Sequence, residues 1–530
     1  MPVPLTPVRC LHRAVDLFGS KIGVVCGEKQ FTYQEFGIRA ETLASALIRT
    51  GIQKGDRVAY LSFNTHQLLE GYYGVVQAGA IVMPLNVRLS IPELTVIVNH
   101  SGACMVIFEP DFETIVESLR AGCPCVKHWI TTAEEKTANA EMTYEELLAD
   151  GTPERLDIFT VDENAIAELF YTSGSTGTPK GVTHTNRTLY LHALSVGAMY
   201  KDVETMVDLH TIPLFHANGW GRPQSSVMLG VKQVMVRRFE PIFVFRMIQE
   251  HKATDMSLVP TMANALINCP DLKNWNTSSM RRVMIGGAAA TPDLVDRIEK
   301  AFPGAEAFSG YGLTETAPVL TSARPKGLVY ADDTERLRRQ AMAGWPVLGV
   351  EVRVVDQDMK DVPRDMQSIG EVIASGDHIM AGYYKEPEAT AAVMTGPWFH
   401  SGDMAVWDKE GYIHIVDRKK EIIISGGENI SSLEVEKTIF SHPDVFECAV
   451  VAAPDDKWGE VPAAIVVPKE GSGLTSEAMH KYLETRLGRF KLPRIIVISN
   501  DPLPKTGTGK IRKLVLKEQF WVGKEKRVQG

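Results

Sequence analysis

The sequence predicts an α/β protein with a large N-terminal part and a small α+β part at its C-terminal end. Three observations carry that expectation. The chain has 530 residues, more than one compact core holds. Up to about residue 350, short apolar runs alternate with helix-like stretches, the rhythm of βαβ units around a mainly parallel sheet. Beyond that point the texture changes to short alternating segments, which read as antiparallel strands.

The elements follow in order. Arg57–Leu61 reads as a strand, 66–78 as a helix and 80–84 as a strand. A helix at 91–99 leads to the buried strand Met105–Phe108. The same alternation returns with strand 233–236, helix 243–251 and strand Arg282–Ile285. Antiparallel strands are expected at Val350–Val355, 370–374 and 411–416. A charged run at 417–421 then precedes helix 432–441, strands 447–453 and 463–468, and helix 476–487. That run is the expected domain boundary.

Composition narrows the class. With 44% hydrophobic and 23% charged residues the chain reads as soluble and globular. A net charge of −9 argues against nucleic acid or an anionic membrane as partner, so an anionic substrate must be held by local groups. Seven scattered cysteines show neither a disulfide framework nor zinc spacing, which suits a reducing compartment. The N-terminal segment lacks the unbroken apolar run of a signal peptide, the C-terminal residues lack a peroxisomal tripeptide, and no stretch of about 18 apolar residues occurs. The expected location is the cytoplasm.

The richest segment is Tyr-Thr-Ser-Gly-Ser-Thr-Gly-Thr-Pro-Lys-Gly at 171–181, placed after an apolar strand. Glycines let backbone N–H groups approach a polyphosphate, hydroxyls donate to its oxygens, and Lys180 adds a point charge. No Gly-Lys-Ser/Thr closes the loop, so it is not a Walker A motif. The second Gly-Lys element, at 504–510, fails the same test because Ile511 follows the lysine.

Five segments occur in a fixed order: 171–181, Gly-Tyr-Gly-Leu-Thr-Glu at 310–315, Trp-Phe-His-Ser-Gly-Asp at 398–403, Asp417-Arg418, and 504–510. Together they resemble the signature motifs of the acyl-CoA synthetase, peptide-synthetase adenylation-domain and luciferase superfamily, closest to the fatty acid–CoA ligases. The resemblance runs from Phe31 to Lys513. It implies a large domain (1–416) with a β-barrel-like subdomain, a hinge (417–421) and a small mobile domain (422–530). It also implies an acid–thiol ligase using ATP, Mg²⁺ and coenzyme A. A carboxylate attacks the ATP α-phosphate to give acyl-AMP and pyrophosphate, and the CoA thiolate then displaces AMP.

Site roles are implied residue by residue. Thr172, Ser173, Gly174, Ser175, Thr176, Gly177 and Lys180 resemble the loop that cradles the β- and γ-phosphates. Thr314 would contact phosphate, and Glu315 would hold Mg²⁺ as a hard carboxylate ligand. Tyr311 would stack on adenine, with Gly287 and Ala288 opposite, while Asp403 and Arg418 would reach the ribose. Lys510 would bridge the carboxylate and α-phosphate, stabilising charge as the adenylate forms. Lys420 occupies the hinge position. In the thioester-forming pose Ser425, Gly426 and Gly427 would line the pantetheine arm, and Trp458 resembles a residue packed on the CoA nucleotide.

The segment Pro-Leu-Phe-His-Ala-Asn-Gly-Trp at 213–220 resembles the acid-pocket wall, placing His216 and Trp220 near the acyl chain with Thr261, Gly286, Gly287 and Gly312. The bulk of Trp220 favours a short- or medium-chain acid. An aromatic acid such as a benzoate or cinnamate stays open, as does transfer of the acyl group to a carrier protein or an oxidative use like that of luciferase. The expected partners are small molecules, with a homodimer as the candidate assembly.

Overall fold

The computed structural model describes every residue except 1, 173–178, 420, 426–427, 456, 506–510 and 523–530. Two large sheets organise the part before residue 350. The first orders its eight strands Gly382–Tyr383, Lys180–Thr185, Ile166–Thr172, Ile81–Pro84, Arg57–Leu61, Met105–Phe108, His128–Thr131 and Met142–Thr143. From Ile166–Thr172 to Met142–Thr143 the pairing is parallel, and Lys180–Thr185 and then the edge strand Gly382–Tyr383 add antiparallel on the other side. Every residue of Ile81–Pro84 and Met105–Phe108 is buried, the expected signature of strands covered on both faces.

The second sheet has nine strands, ordered Trp345–Pro346, Val319–Ser322, Glu306–Gly312, Arg282–Ile285, Asp255–Leu258, Val207–His210, Lys232–Met235, Ile22–Cys26 and Lys29–Thr32. Its interior is parallel, and Val319–Ser322 runs antiparallel to Glu306–Gly312. Parallel strands need crossover helices, and these are present: His66–Gln77, for example, is capped by Thr65 and buried along its whole length. No described helix is long and apolar enough to cross a membrane.

Beyond residue 350, Val350–Val355, Gly370–Gly376, Trp398–Trp407, Met394–Thr395 and Ile413–Arg418 form a five-stranded half-barrel sheet. The C-terminal α+β part carries five more strands, with the helices Ser432–Phe440 and Ser476–Glu484 around Ile423, Val435, Ile439, Val450, Val466 and Met479, and the helix Lys513–Trp521 on a second cluster with Val451, Val461 and Ile465. The strands expected at 447–453 and 463–468 extend into one long antiparallel hairpin, Val445–Asp455 with Gly459–Pro468. Its polar ends look like loop in sequence, yet ladder hydrogen bonds satisfy their backbone.

By compactness the chain divides into two units. One comprises 1–352, 373–400 and 410–413; the other comprises 353–372, 401–409 and 414–530.

Candidate active site

Within the first unit, Thr172 and Lys180 face each other across the hairpin formed by Ile166–Thr172 and Lys180–Thr185. The loop residues Ser173, Gly174, Ser175, Thr176 and Gly177, expected at the phosphates, lie outside the described residues. Lys180 is half-buried, with Nζ 4.7 Å from the centroid of the Tyr383 ring. The Tyr383 hydroxyl in turn donates to Glu315 Oε1 at 2.9 Å. Burial, then the neighbouring Glu315 charge, push the Tyr383 hydroxyl well above its ordinary range, so it stays a donor.

Tyr383 was not legible as a site residue. It arrives because Gly382–Tyr383 pairs antiparallel with Thr183 and Val182, while Met380 N donates to Glu315 O at 2.8 Å. The one available signal was the Gly-Tyr-Tyr run at 382–384 between turn-like residues, which is weak by itself.

Glu315 sits on the short turn Thr314–Thr316, half-exposed beside Thr314. Tyr383 occupies its Oε1, and its Oε2 has no hydrogen-bond partner among the described residues. A half-exposed carboxylate with one oxygen fixed and one available fits a hard divalent ion that keeps several waters. Buried neutral histidines brace this turn from below. Burial lowers His184 to about 4, its ring facing the Thr314 backbone, and His192 Nε2 accepts from Val319 N at 3.1 Å.

Strand Glu306–Gly312 delivers Tyr311 beside Thr321, with its ring half-buried. A Cβ on Gly312 would lie 1.7 Å from Pro318 O, so only glycine allows the chain to pass there. The neighbouring strand Arg282–Ile285 runs into Gly286, buried, then Gly287 and Ala288, both exposed.

The indole of Trp220 covers Gly286 and Gly287: a Cβ on Gly286 would lie 2.9 Å from its ring, and one on Gly287 3.7 Å from it. Trp220 is 6% exposed, whereas His216 and Thr261 are exposed. Its backbone belongs to a run of five left-handed residues, Ala217, Asn218, Gly219, Trp220 and Gly221, with φ between 43° and 73°. Trp220 also borders a small cavity of about 20 Å³, room for about one water, lined also by Tyr200, Arg222, Arg282, Met284 and Phe308. The two arginines in that wall are neutralised, Arg222 by Asp208 at 2.6 Å and Arg282 by Asp255 at 2.5 Å.

In the second unit, buried Asp403 pairs with the Arg418 guanidinium at 2.7 Å, and Arg418 Nη1 also donates to Ser401 O at 3.4 Å. Ser425 pairs with Gly459 at the edge of the C-terminal sheet. Trp458 is partly exposed between Lys457 and Arg494, whose charges lie 4.9 and 5.7 Å from its ring centroid. The remaining calls, Lys420, Gly426, Gly427 and Lys510, lie outside the described residues.

With this geometry in hand, comparison with known proteins is informative. Residues 11–384 match the family described as AMP-binding enzyme, and residues 434–510 match the AMP-binding enzyme C-terminal domain. The chain is 37% identical to a long-chain-fatty-acid–CoA ligase of Thermus thermophilus, covering 96% of this chain and 94% of that protein. It is 35% identical to 4-hydroxybutyrate–CoA ligase 2 of Metallosphaera sedula, covering 97% and 94%. In structure it is similar to the anthranilate CoA ligase AuaEII in complex with anthranoyl-AMP, with a TM-score of 0.84, 25% identity and 98% of each chain covered.

Proposed function

Because this chain belongs to the AMP-binding enzymes and is an AMP-forming acid–CoA ligase using ATP, Mg²⁺ and coenzyme A, we propose that its acid is a short- or medium-chain monocarboxylic acid with an apolar tail. One observation carries the reading: the buried Trp220 indole lies against Gly286 and Gly287, so a large ring occupies room that an acid tail would otherwise take. A shallow apolar pocket rewards a short tail by burial and leaves a long one in water. The printed substrates of the two relatives, a long-chain fatty acid and 4-hydroxybutyrate, differ too much for either to carry over by itself.

The residues divide the work as follows. Thr172, the loop 173–177 and Lys180 hold the β- and γ-phosphates, and Thr314 adds a contact. Tyr383 holds both its neighbours in place, Lys180 through its ring and Glu315 through its hydroxyl. Glu315 ligates Mg²⁺, which neutralises polyphosphate charge when bound. Tyr311 packs on adenine with Gly287 and Ala288, and Asp403 with Arg418 binds the ribose. His216, Trp220, Thr261, Gly286 and Gly312 border the acid. Lys510 offsets the charge that develops as the acid oxygen bonds to the α-phosphorus and pyrophosphate leaves. In the second step the CoA sulfur bonds to the acyl carbon and AMP departs.

The chain on this proposal has a large domain at 1–416, a hinge at 417–421 containing Lys420, and a small domain at 422–530. Ser425, Gly426 and Gly427 then serve the pantetheine arm. Trp458, flanked by Lys457 and Arg494, suits an adenine ring carrying phosphates, and this pairing of an aromatic face with two cations supports the CoA assignment.

A pyrophosphate-release screen over acids of graded length and ring type, with and without CoA, tests the reading. Activity peaking at four to eight carbons is the expected outcome. A peak at long chains or at cinnamates overturns the acid assignment.

A further inference from the structure

The apolar strand Ile166–Thr172 contains one carboxylate, Glu168, and it is completely buried. Its backbone lies mid-sheet, opposite Val82 on one side and His184 on the other. No cation pairs with it among the described residues. Its two oxygens instead accept amide hydrogen bonds, Oε1 from Gln224 Nε2 at 2.7 Å and Oε2 from Asn218 Nδ2 at 3.1 Å. Burial pushes the carboxyl up to about 8, so it is predominantly the neutral acid at neutral pH.

One of those partners, Asn218, belongs to the five-residue left-handed run, and the other, Gln224, lies on the helix that follows it. Left-handed backbone costs little at glycine and is tolerated by asparagine, but it is strained for alanine and most of all for a bulky residue such as Trp220 at φ 64°. Strain of this kind persists only where the surroundings over-determine it. Here Asn218 Oδ1 accepts from Gly221 N at 2.6 Å, and the wholly buried helix Arg222–Met228 begins immediately after the run. That helix is held through Arg222 and Ser226 on Asp208, and through Gln224 on Glu168. A Cβ on Gly221 would lie 2.3 Å from the His192 ring, so the end of the run cannot shift inward.

We propose that Glu168 is the positioning residue for acid selection, holding Asn218 and Gln224 so that the strained run presents Trp220 over Gly286 and Gly287. The inference rests on the reading of Trp220 as the end of the acid pocket. Glu168 touches no reacting atom; it acts by fixing a wall. It also lies four residues before Thr172, so one strand leads both to the phosphate loop and to the support of Trp220.

The experiment compares wild type, Glu168→Ala, Glu168→Gln, Trp220→Ala and the double variant Glu168→Ala/Trp220→Ala over a series of straight-chain acids, with the KM for ATP measured in each. Glu168→Ala is expected to raise the KM for the preferred acid and lower its advantage over acids two methylenes longer by about tenfold, the order of two lost hydrogen bonds. The KM for ATP stays unchanged. Glu168→Gln keeps the shape and one acceptor oxygen but sets its NH2 against the other amide donor, so its profile is expected between those of wild type and Glu168→Ala, and in the Trp220→Ala background Glu168→Ala changes the profile no further. If Glu168→Ala does not fold, Asn218→Gly deletes one amide while accepting the left-handed φ, and Gln224→Met deletes the other. Their expected signature is the same.

A uniform fall in kcat with an unchanged acid profile while Trp220→Ala alters it overturns the role of Glu168 and leaves the pocket reading standing. An unchanged profile in Trp220→Ala overturns both.

Discussion

The surroundings of Glu315 and those of Trp220 are built in opposite ways. Around Glu315, half-exposed polar side chains protrude from hairpins and tight turns, and each is fixed by one or two contacts, such as Tyr383 on Glu315 and Lys180 on Tyr383. Around Trp220, the wall is a buried ring on strained backbone, supported by Glu168, Gln224, His192 and Asp208 from separate elements. The contrast separates two tasks. Chemistry common to every acid needs particular side chains at an accessible surface, while choosing an acid needs a shape, and a shape is held by packing.

The largest expected effect lies on the chemical side. Lys510→Ala should reduce acyl-AMP formation by at least about 10²–10³-fold, because a charge aimed at the developing transition state is lost. Thioester formation from pre-made acyl-AMP should survive. Pyrophosphate release and single-turnover CoA acylation measured on one preparation check this, and a joint loss of both steps would break the proposed division of labour.

A smaller effect is expected one contact away. Tyr383→Phe removes the hydroxyl from Glu315 and leaves the ring beneath Lys180. A hydrogen bond to a charged group contributes about 1.5–3 kcal/mol, so kcat/KM should fall roughly 10–100-fold, with a higher Mg²⁺ requirement and no change in acid preference. A Mg²⁺ titration at fixed ATP measures it. If the acid profile moved as well, the two neighbourhoods would not be separable.

Trp220→Ala sharpens the comparison from the other side. Each additional methylene that becomes buried contributes about 0.8 kcal/mol, roughly a fourfold gain in kcat/KM, so the optimum should move to longer acids by several carbons. An ordinary core tryptophan would instead cost about 3–5 kcal/mol of stability with the preference order intact. Melting temperature and chain-length profile, read together, decide between them.

The smallest expected effect is a pH dependence of stability. Glu168 has its folded value raised from 4.5 to about 8, so the folded state keeps a proton that the unfolded chain releases. Its contribution is fully present below pH 4.5 and is lost as pH rises to about 8, with a slope of at most about 1.4 kcal/mol per pH unit. His184 and His378, both lowered from 6.5 to about 4, act in the opposite sense and penalise the fold as pH drops below 6.5. Between 6.5 and 8 only the Glu168 slope remains of these three. There the melting temperature of Glu168→Gln should fall less with pH than that of wild type.

The sequence by itself determined the reaction. Candidate phosphate and metal contacts read as short contiguous motifs, because turns place neighbouring residues on one ligand; Thr172 with Lys180 and Thr314 with Glu315 were legible as candidates for that reason. Strand and helix positions in the α/β part were legible too, since full burial writes itself as apolar runs such as Met105–Phe108. Tertiary structure alone decided how Trp220 is held. Nothing in Ala-Glu-Leu marks Glu168 as the anchor of residues 50 and 56 positions away, and nothing in Ala-Asn-Gly-Trp announces left-handed backbone. Tyr383 likewise reaches Glu315 across 68 positions through strand pairing. Such contacts depend on how distant strands register, and local side-chain chemistry carries no record of that.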